Sequence, residues 1–261
     1  MSRFRQGEWV LLTSQKGKKW LVRIEDAPYS LHLGTFHMLD IVGREEGDHI
    51  QTNKGARLFL LRPTLEDYIF KMKRKTQIIY PKDLGAIIIY GDIKSGDIVL
   101  ESGIGSGALS LALLRAIGEE GMLISVEKRL EFASTAIENI EKFFGNRPTN
   151  HQVVVADIHD SGLNTRVDRV VLDLPEPWQA IGSVAPLLKN GGLLVNLSPN
   201  VGQVQLTFRQ LKSHGFVNIT TFELLRREWL VDELRARPAD RMIAHTGFIT
   251  VSKKSWSSPP S

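Results

Sequence analysis

The run ESGIGSG occupies residues 101–107. It lies between an apolar strand pattern over Asp97–Ser102 and an apolar helix pattern over Gly107–Ile117. Glycine permits a sharp turn and a close approach of a ligand to the backbone, and the start of the following helix offers unpaired N–H groups. The run therefore predicts a nucleotide-type ligand at the end of this strand. A purely structural turn is the alternative.

Strand and helix patterns alternate along the chain after residue 82, and the strands lack polar alternation. This is typical of a parallel sheet covered by helices on both faces. The sequence therefore predicts an α/β, Rossmann-like domain with a mostly parallel, seven-stranded sheet. The predicted strands after Ser102 are Met122–Val126, Gln152–Ala156, Val167–Leu172, Gly192–Leu197, Val217–Leu225 and Met242–Lys253, and the later helices are Leu130–Phe144 and Val201–Ser213.

The N-terminal region has a different pattern. Glu8–Arg23 alternates around a glycine-containing turn, and Ile50–Gln51 and Leu58–Leu61 flank a second turn. Residues 1–63 are thus expected to form a small β domain, and residues 64–254 the catalytic domain. Thr64 is expected to cap a helix that runs through Met72. The Ser- and Pro-rich residues 255–261 are expected to be a disordered tail.

Composition narrows the class of protein. The chain has 261 residues, no cysteine and a net charge of +4. Residues 1–90 contain 15 Lys and Arg against 10 Asp and Glu, with a cluster at Lys71, Lys73, Arg74 and Lys75 that is expected to attract phosphates. A solvated basic face is the alternative. The absence of long apolar runs predicts no membrane span and no secretory signal, and hence a cytoplasmic protein.

Two acidic residues follow successive predicted strands. Glu127 ends the strand after the glycine run, where a carboxylate can accept hydrogen bonds from both ribose hydroxyls. Asp157 follows the next strand and is placed to accept from an adenine amino group. Each acid alone fits a helix cap or a surface residue equally well. The order of glycine run, ribose acid and adenine acid resembles the class I methyltransferases.

The segment Asp173-Leu174-Pro175-Glu176-Pro177-Trp178 follows the fourth strand of this series. Its prolines predict a stiff loop that holds Asp173 and Trp178 at the carboxyl edge of the sheet. A carboxylate beside an aromatic plane suits an adenine, since the acid accepts from N6 while the ring stacks on the base. Asp173 is therefore the predicted catalytic residue, and a cap of the next helix is its structural alternative.

Taken together, these motifs resemble the tRNA (adenine-N1)-methyltransferase family of bacteria and archaea, which modifies the T-loop adenine at tRNA position 58. The resemblance extends from about Phe4 to Lys253. It is most specific in Gln77–Asp83, Glu101–Leu109, the Asp173–Trp178 segment, Arg237-Pro238 and His245–Phe248.

The resemblance implies S-adenosylmethionine as cofactor, tRNA as substrate, a homotetramer and no metal. It assigns the methionine end of the cofactor to Gly103, Gly105, Ser106, Gly107, Ala108 and Leu109, the ribose to Glu127 and the adenine to Asp157. Asp173 would hold the target base near the sulfonium. Tyr80 is similar to a tyrosine close to the reaction centre, and His32 to a residue near the mouth of the active site.

Several other interpretations stay open. A nucleic-acid adenine-N6 methyltransferase also has prolines after the fourth strand, but usually two adjacent ones, whereas Glu176 separates them here. A protein-modifying isoaspartyl methyltransferase is disfavoured by the basic N-terminal region. A non-catalytic RNA-binding subunit would be expected to lose Asp173 and the glycine motif. An NAD-dependent dehydrogenase is disfavoured because the glycine spacing is G-x-G-x-G.

Overall fold

A computed structural model describes residues 3–255 of the chain. The chain forms two compact units. The first contains the chain up to Lys73 together with Lys142–Asn146, and the second contains Arg74–Glu141 and the chain from Arg147 onward.

The first unit is built around an antiparallel four-stranded sheet with the strand order β2-β1-β6-β5. Both hairpins predicted from the sequence are confirmed, and a further two-stranded ribbon, β3-β4, was not predicted. Leu12, Leu58 and Leu60 are fully buried in the core of this unit. The strands are β1 (Trp9–Ser14), β2 (Lys19–Arg23), β3 (Pro28–Leu31), β4 (Gly34–His37), β5 (His49–Gln51) and β6 (Arg57–Leu61).

Helix α1 (Leu65–Lys71) closes the first unit. Thr64 caps it as predicted, and Asp67 completes the capping box, since each side chain pairs with the backbone of the other residue. Tyr68 of α1 is buried, and its ring contacts Trp9 and Phe143, which belong to the same unit. The boundary between the two units therefore lies after α1, whereas the sequence analysis placed the domain boundary before α1, at residue 63.

The second unit contains a seven-stranded sheet with the order β12-β15-β11-β10-β7-β8-β9. β9, β8, β7, β10 and β11 run parallel, while β15 is antiparallel to both β11 and β12. The predicted fold class is confirmed. The strands of this sheet are β7 (Ile98–Ser102), β8 (Met122–Glu127), β9 (His151–Val155), β10 (Val167–Leu172), β11 (Leu188–Ser198), β12 (Phe216–Phe222) and β15 (Phe248–Lys254). A separate two-stranded sheet contains β13 (Trp229–Val231) and β14 (Ala236–Pro238).

The helices of the second unit are α2 (Pro81–Tyr90), α3 (Ala108–Ile117), α4 (Leu130–Phe144), α5 (Pro177–Val184) and α6 (Val201–Ser213). Residues 142–144 of α4 belong to the first unit. α3, α4 and α6 confirm the predicted pattern, whereas α2 and α5 were not predicted. In the described part of the chain, no helix is long and apolar enough to cross a membrane.

Two predictions near the C-terminus need correction. The last strand begins at Phe248 and not at Met242, and the charged segment before it contains the antiparallel β13-β14 hairpin. Ser255, assigned to a disordered tail, donates its N–H to the carbonyl oxygen of Gly215. Residues 256–261 of that predicted tail lie outside the described residues.

Candidate active site

The glycine turn after β7 lies against the loop after β10. Gly103 and Gly107 have φ angles of +93° and +87°, which side chains other than hydrogen rarely permit. A Cβ atom at Gly103 would also collide with the carbonyl oxygen of Asp173. At Gly107 a Cβ atom would lie 3.2 Å from Ala136 of α4. The close approach therefore requires glycine and brings the backbone of Asp173 beside the turn.

Ser106 joins this turn to two other segments. Its carbonyl oxygen accepts a hydrogen bond of 2.9 Å from Nδ2 of the buried Asn139. Its hydroxyl lies 3.1 Å from the hydroxyl of Thr76 and accepts from the N–H of Lys75 at 3.4 Å. The side chain of Ser106, a residue that the resemblance assigned to the methionine end of the cofactor, is thus already bonded within the protein. Ala108 and Leu109 are buried in the first turn of α3.

Glu127 is the last residue of β8 and is 6% exposed. Its Oε2 accepts from the N–H of Gly105 at 3.4 Å, and its Oε1 accepts from the N–H of Arg129 at 3.0 Å. These backbone bonds hold the carboxylate beside the glycine turn. This is the position expected for a ribose-binding acid in a fold of this class.

Asp157 follows β9 and has two partners within the protein. It accepts from the N–H of His159 at 3.1 Å, which caps the short 3-10 helix Ile158–Asp160. Lys128 donates to its other oxygen at 2.8 Å, and this hydrogen bond is the largest cause that lowers the pKa of Asp157. The capping interpretation therefore applies to this residue, and the adenine contact stays a prediction.

Asp173 is the first residue after β10. Its N–H donates to the carbonyl oxygen of Ser102 at 2.9 Å, which fixes the start of the loop. Burial, with a smaller contribution from the negative charge of Glu127, raises the pKa of Asp173 to about 6. Asp173 does not cap the next helix, because the N-cap of α5 is Glu176, which is exposed and makes no side-chain capping bond. The alternative interpretation of Asp173, as a cap of the next helix, is therefore wrong.

Trp178 corrects one prediction. It was expected in a stiff loop, but Pro177 and Trp178 are the first two residues of α5, since proline is well tolerated at the start of a helix. Trp178 is partly buried there.

Tyr80 is the N-cap of α2. It lines a cavity of about 470 Å³ whose other lining residues are Arg74, Lys75, Thr76, Gln77 and Ile78.

A family model described as the tRNA methyltransferase complex GCD14 subunit matches residues 57–247, which is more than half of the chain. The chain belongs to this family. The resemblance to tRNA methyltransferases is thereby confirmed. The glycine turn, Glu127, Asp157 and Asp173 all lie inside the matched range.

The chain is also similar to individual proteins and solved structures. The chain is 34% identical to a tRNA (adenine(57)-N(1)/adenine(58)-N(1))-methyltransferase of Methanocaldococcus jannaschii, over 94% of each chain. It is similar to the tRNA (m1A58) methyltransferase TrmI of Aquifex aeolicus, with a TM-score of 0.85, 30% identity and coverage of 98% and 100%. A Thermotoga maritima structure described as a SAM-dependent O-methyltransferase matches with a TM-score of 0.93, 35% identity and coverage of 98% and 96%.

His32 lies outside the second unit of this GCD14-family chain. It occupies the turn between β3 and β4 of the first unit, where its exposed ring is 5.7 Å from the ring of Trp20. Across residues 3–255, no group of three or more His, Cys, Asp or Glu side chains is arranged to hold a metal ion.

Glu101 is a site residue that the sequence reasoning did not assign. It is fully buried in β7, and its Oε2 accepts from the hydroxyls of Ser110 at 2.7 Å and Ser125 at 2.6 Å. Its Oε1 has no hydrogen-bond partner among the described residues. Burial raises the pKa of Glu101 to about 7. The signal was present in the sequence, because an acid stands in an otherwise apolar strand.

His151 completes this network behind the glycine turn. Its Nε2 lies 3.0 Å from the hydroxyl of Ser125. When Glu101 is ionised, that hydroxyl donates its proton to Glu101, and Nε2 of His151 is then the donor to Ser125. Burial lowers the pKa of His151 to about 4, so the ring is neutral near pH 7. The network is therefore a chain of donors that ends on the Glu101 carboxyl group.

Proposed function

We propose that this chain transfers a methyl group from S-adenosylmethionine to N1 of adenine 58 in tRNA. The single observation that supports the reaction most directly is the Asp173 carboxyl group, whose pKa is raised to about 6 and whose backbone lies against the glycine turn. Perturbed carboxyl groups at the carboxyl edge of a parallel sheet are typical of functional sites.

The residues at this edge fit S-adenosylmethionine. The start of α3 offers N–H groups to a ligand, and we propose that Gly103, Gly105 and Gly107, together with Ser106, Ala108 and Leu109, contact the methionine end there. Glu127 would accept hydrogen bonds from the ribose hydroxyls, and Asp157 from the adenine amino group. When bound, this cofactor supplies an electrophilic methyl group.

Asp173 would act on the target base. Neutral adenine already has a lone pair on N1, so the chain needs only to hold and orient the base. An ionised Asp173 accepts a hydrogen bond from N6 and stabilises the positive charge that methylation of N1 creates in the ring. Tyr80 and Trp178 would position the base through their aromatic faces. These roles require Asp173 without its proton, and therefore a pH above its pKa in the working enzyme.

Binding of tRNA would use the basic cluster and His32. Lys71, Lys73, Arg74 and Lys75 are all exposed, which suits contacts with phosphates. We propose that His32 contacts the tRNA from the first unit. A tRNA substrate also supports the expectation that the enzyme works in the cytoplasm.

We also propose that the enzyme is a homotetramer. Besides the resemblance, the β13-β14 hairpin supports self-association because it exposes apolar side chains: Trp229, Leu230, Val231 and Leu234 are 60%, 50%, 72% and 91% exposed. Apolar clusters of this kind mark interaction sites, and most soluble oligomers are symmetric assemblies of one chain. Sedimentation velocity tests this directly, since a monomer or a dimer would contradict it.

Methyl transfer to defined RNA tests the function. Purified protein and labelled S-adenosylmethionine are incubated with unmodified tRNA and with variants in which adenine 57 or adenine 58 is replaced by guanine, and the product nucleosides are identified by mass spectrometry. We expect N1-methyladenosine that depends on adenine 58. N6-methyladenosine alone, or methyl groups on the ribose, would contradict the proposal.

A matched pair of variants assigns the reaction to Asp173. Asp173→Ala should reduce the rate about 100- to 1000-fold, the effect of losing one stabilising group in a preorganised site. Glu176→Ala removes an exposed carboxylate from the same loop and should stay within about twofold of the parent. Equal losses in both variants would show that the loop, and not the Asp173 carboxyl group, supports the reaction.

A further inference from the structure

A buried ion pair stands at the start of α2. Lys82 and Asp83 are the second and third residues of this helix, and their side chains are 8% and 2% exposed. The Lys82 ammonium lies 2.7 Å from Oδ1 of Asp83. A buried cation is unfavourable in the first turn of a helix, where the helix dipole is positive. Its presence there therefore requires strong local partners.

Thr246 supplies the remaining partner from a position more than 160 residues along the chain. Lys82 donates to the Thr246 hydroxyl at 2.5 Å, and this hydroxyl donates to Oδ2 of Asp83 at 2.6 Å. We refer to these three side chains as the Lys82–Asp83–Thr246 ring. Each oxygen of Asp83 and the hydroxyl of Thr246 is bonded within it, so the ring fixes α2 to the segment before β15.

The other side of this segment is also fixed. Nδ1 of His245 lies 2.8 Å from the Glu223 carboxylate, and its Nε2 lies 3.1 Å from the carbonyl oxygen of Pro199. Both of these partners are acceptors, so the ring of His245 is held best when both nitrogens are protonated. Pro199 directly follows β11 and Glu223 directly follows β12. Thr246 is therefore held in register with the carboxyl edge of the sheet.

The ring is connected to Tyr80 through one helical turn. The carbonyl oxygen of Tyr80 accepts from the N–H groups of Asp83 at 2.9 Å and Leu84 at 3.0 Å. Pro81 also restricts the backbone of Tyr80 to the extended conformation that the structure has. The position of Asp83 therefore constrains the position of the Tyr80 backbone.

We propose that Thr246 is a positioning residue that acts through Lys82 and Asp83 to hold Tyr80 in place, beside the cavity that it lines, for the methyl transfer. The inference rests on the proposed function, because it assigns Tyr80 to the reaction. Small displacements of a group that orients a substrate reduce the rate of the chemical step more than they reduce binding. The ring is thus expected to affect kcat and to leave the KM for both substrates nearly unchanged.

Thr246→Val tests this inference, since valine has the shape of threonine without the hydroxyl. We expect kcat to fall about tenfold while both KM values stay within about twofold, and Thr246→Ser to restore kcat to within about twofold of the parent. Thr221→Val is the matched control. It removes a hydroxyl that bonds Thr250 at 2.8 Å between β12 and β15 and is not part of the Lys82–Asp83–Thr246 ring, so it should leave kcat unchanged.

A double-mutant cycle separates positioning from a general loss of stability. In a Tyr80→Ala background, Thr246→Val should cause no further fall in kcat. An unchanged kcat in Thr246→Val, a full further fall in the Tyr80→Ala background, or an equal fall in Thr221→Val would each overturn the inference. Thr246→Ala gives the same reading if the valine variant does not fold. If the parent makes no N1-methyladenosine, the proposed function fails first. If it does, a failed cycle overturns this inference alone.

Discussion

Two buried polar regions of the second unit differ in how their charges are balanced. In the Lys82–Asp83–Thr246 ring, a carboxylate has an ammonium group and a hydroxyl as partners, all from this chain. At the glycine turn, Glu101 and Asp173 have pKa values raised to about 7 and about 6, mainly by burial and further by neighbouring carboxylates. The ring is complete in itself and suits a structural task. The acids at the turn suit the binding of positive charge.

Breaking the ring should have the largest effect on stability. Lys82→Met leaves the buried Asp83 carboxylate without its cation, which should cost about 3–5 kcal/mol of unfolding free energy, and adding Asp83→Asn should recover part of that loss. Urea unfolding measures both. Lys94→Met is the control, since Lys94 pairs with Asp92 at an exposed site and should change stability by less than about 1 kcal/mol. Similar losses of unfolding free energy in Lys82→Met and Lys94→Met would contradict the structural role of the ring.

Replacing Asp173 with a neutral residue should increase the free energy of unfolding, which is the opposite of the effect expected at the ring. The folded-state pKa of Asp173 is about 6 against a model value of 3.8. Folding therefore becomes less favourable as the pH rises from about 4 to about 6, because the buried carboxyl group loses its proton. Asp173→Asn should accordingly be more stable than the parent at pH 8, by up to about 3 kcal/mol, and equal to it near pH 3.

Thermal and urea unfolding of the parent and of Asp173→Asn, between about pH 3 and pH 8, measure this difference in stability. Glu176→Gln serves as the control, because this exposed side chain should give a difference near zero at every pH. An Asp173→Asn variant that is less stable than the parent at pH 8 would show that the carboxylate is stabilised by partners within the chain.

The Glu101 network should give the smallest effect. Ser125→Ala removes a donor to Glu101 and the partner of His151, which should cost about 1–2 kcal/mol. The cost should grow as the pH rises through about 7, because the ionised form of Glu101 depends more on that donor. Ser134→Ala removes an exposed hydroxyl that bonds within α4 and should change little at any pH. A loss that shrinks with rising pH would contradict this account of Glu101.

Local signals in the sequence were sufficient for most of the fold. The glycine turn, the apolar strands and the helices α3, α4 and α6 were predicted because each depends on neighbouring residues and on periodicity. The helix α2 was missed. The ribbon β3-β4 and the helix α5 were missed as well. Prolines in both segments were interpreted as loop signals or left unassigned, although proline also fits a strand end and the first turn of a helix.

The site was predicted less completely, for a physical reason. Glu127 and Asp173 could be found because each lies at the carboxyl end of a strand of a parallel sheet, and these ends share one edge. The bond between Lys82 and Thr246 could not, since only the folded sheet brings residues so far apart together. The partners of Asp157 were likewise not visible, because a cap and a ligand contact need the same residue type.

The dependence of the chemical step on the charge of Asp173 tests the central claim most directly. Single-turnover rates of methyl transfer, at saturating S-adenosylmethionine and tRNA, are measured between pH 5 and pH 8 for the parent and for Asp173→Asn. We predict that the parent rate rises with pH and levels off once Asp173 is ionised, while the variant is slow and independent of pH. Parent and variant rates that follow the same curve would contradict the role of this carboxylate.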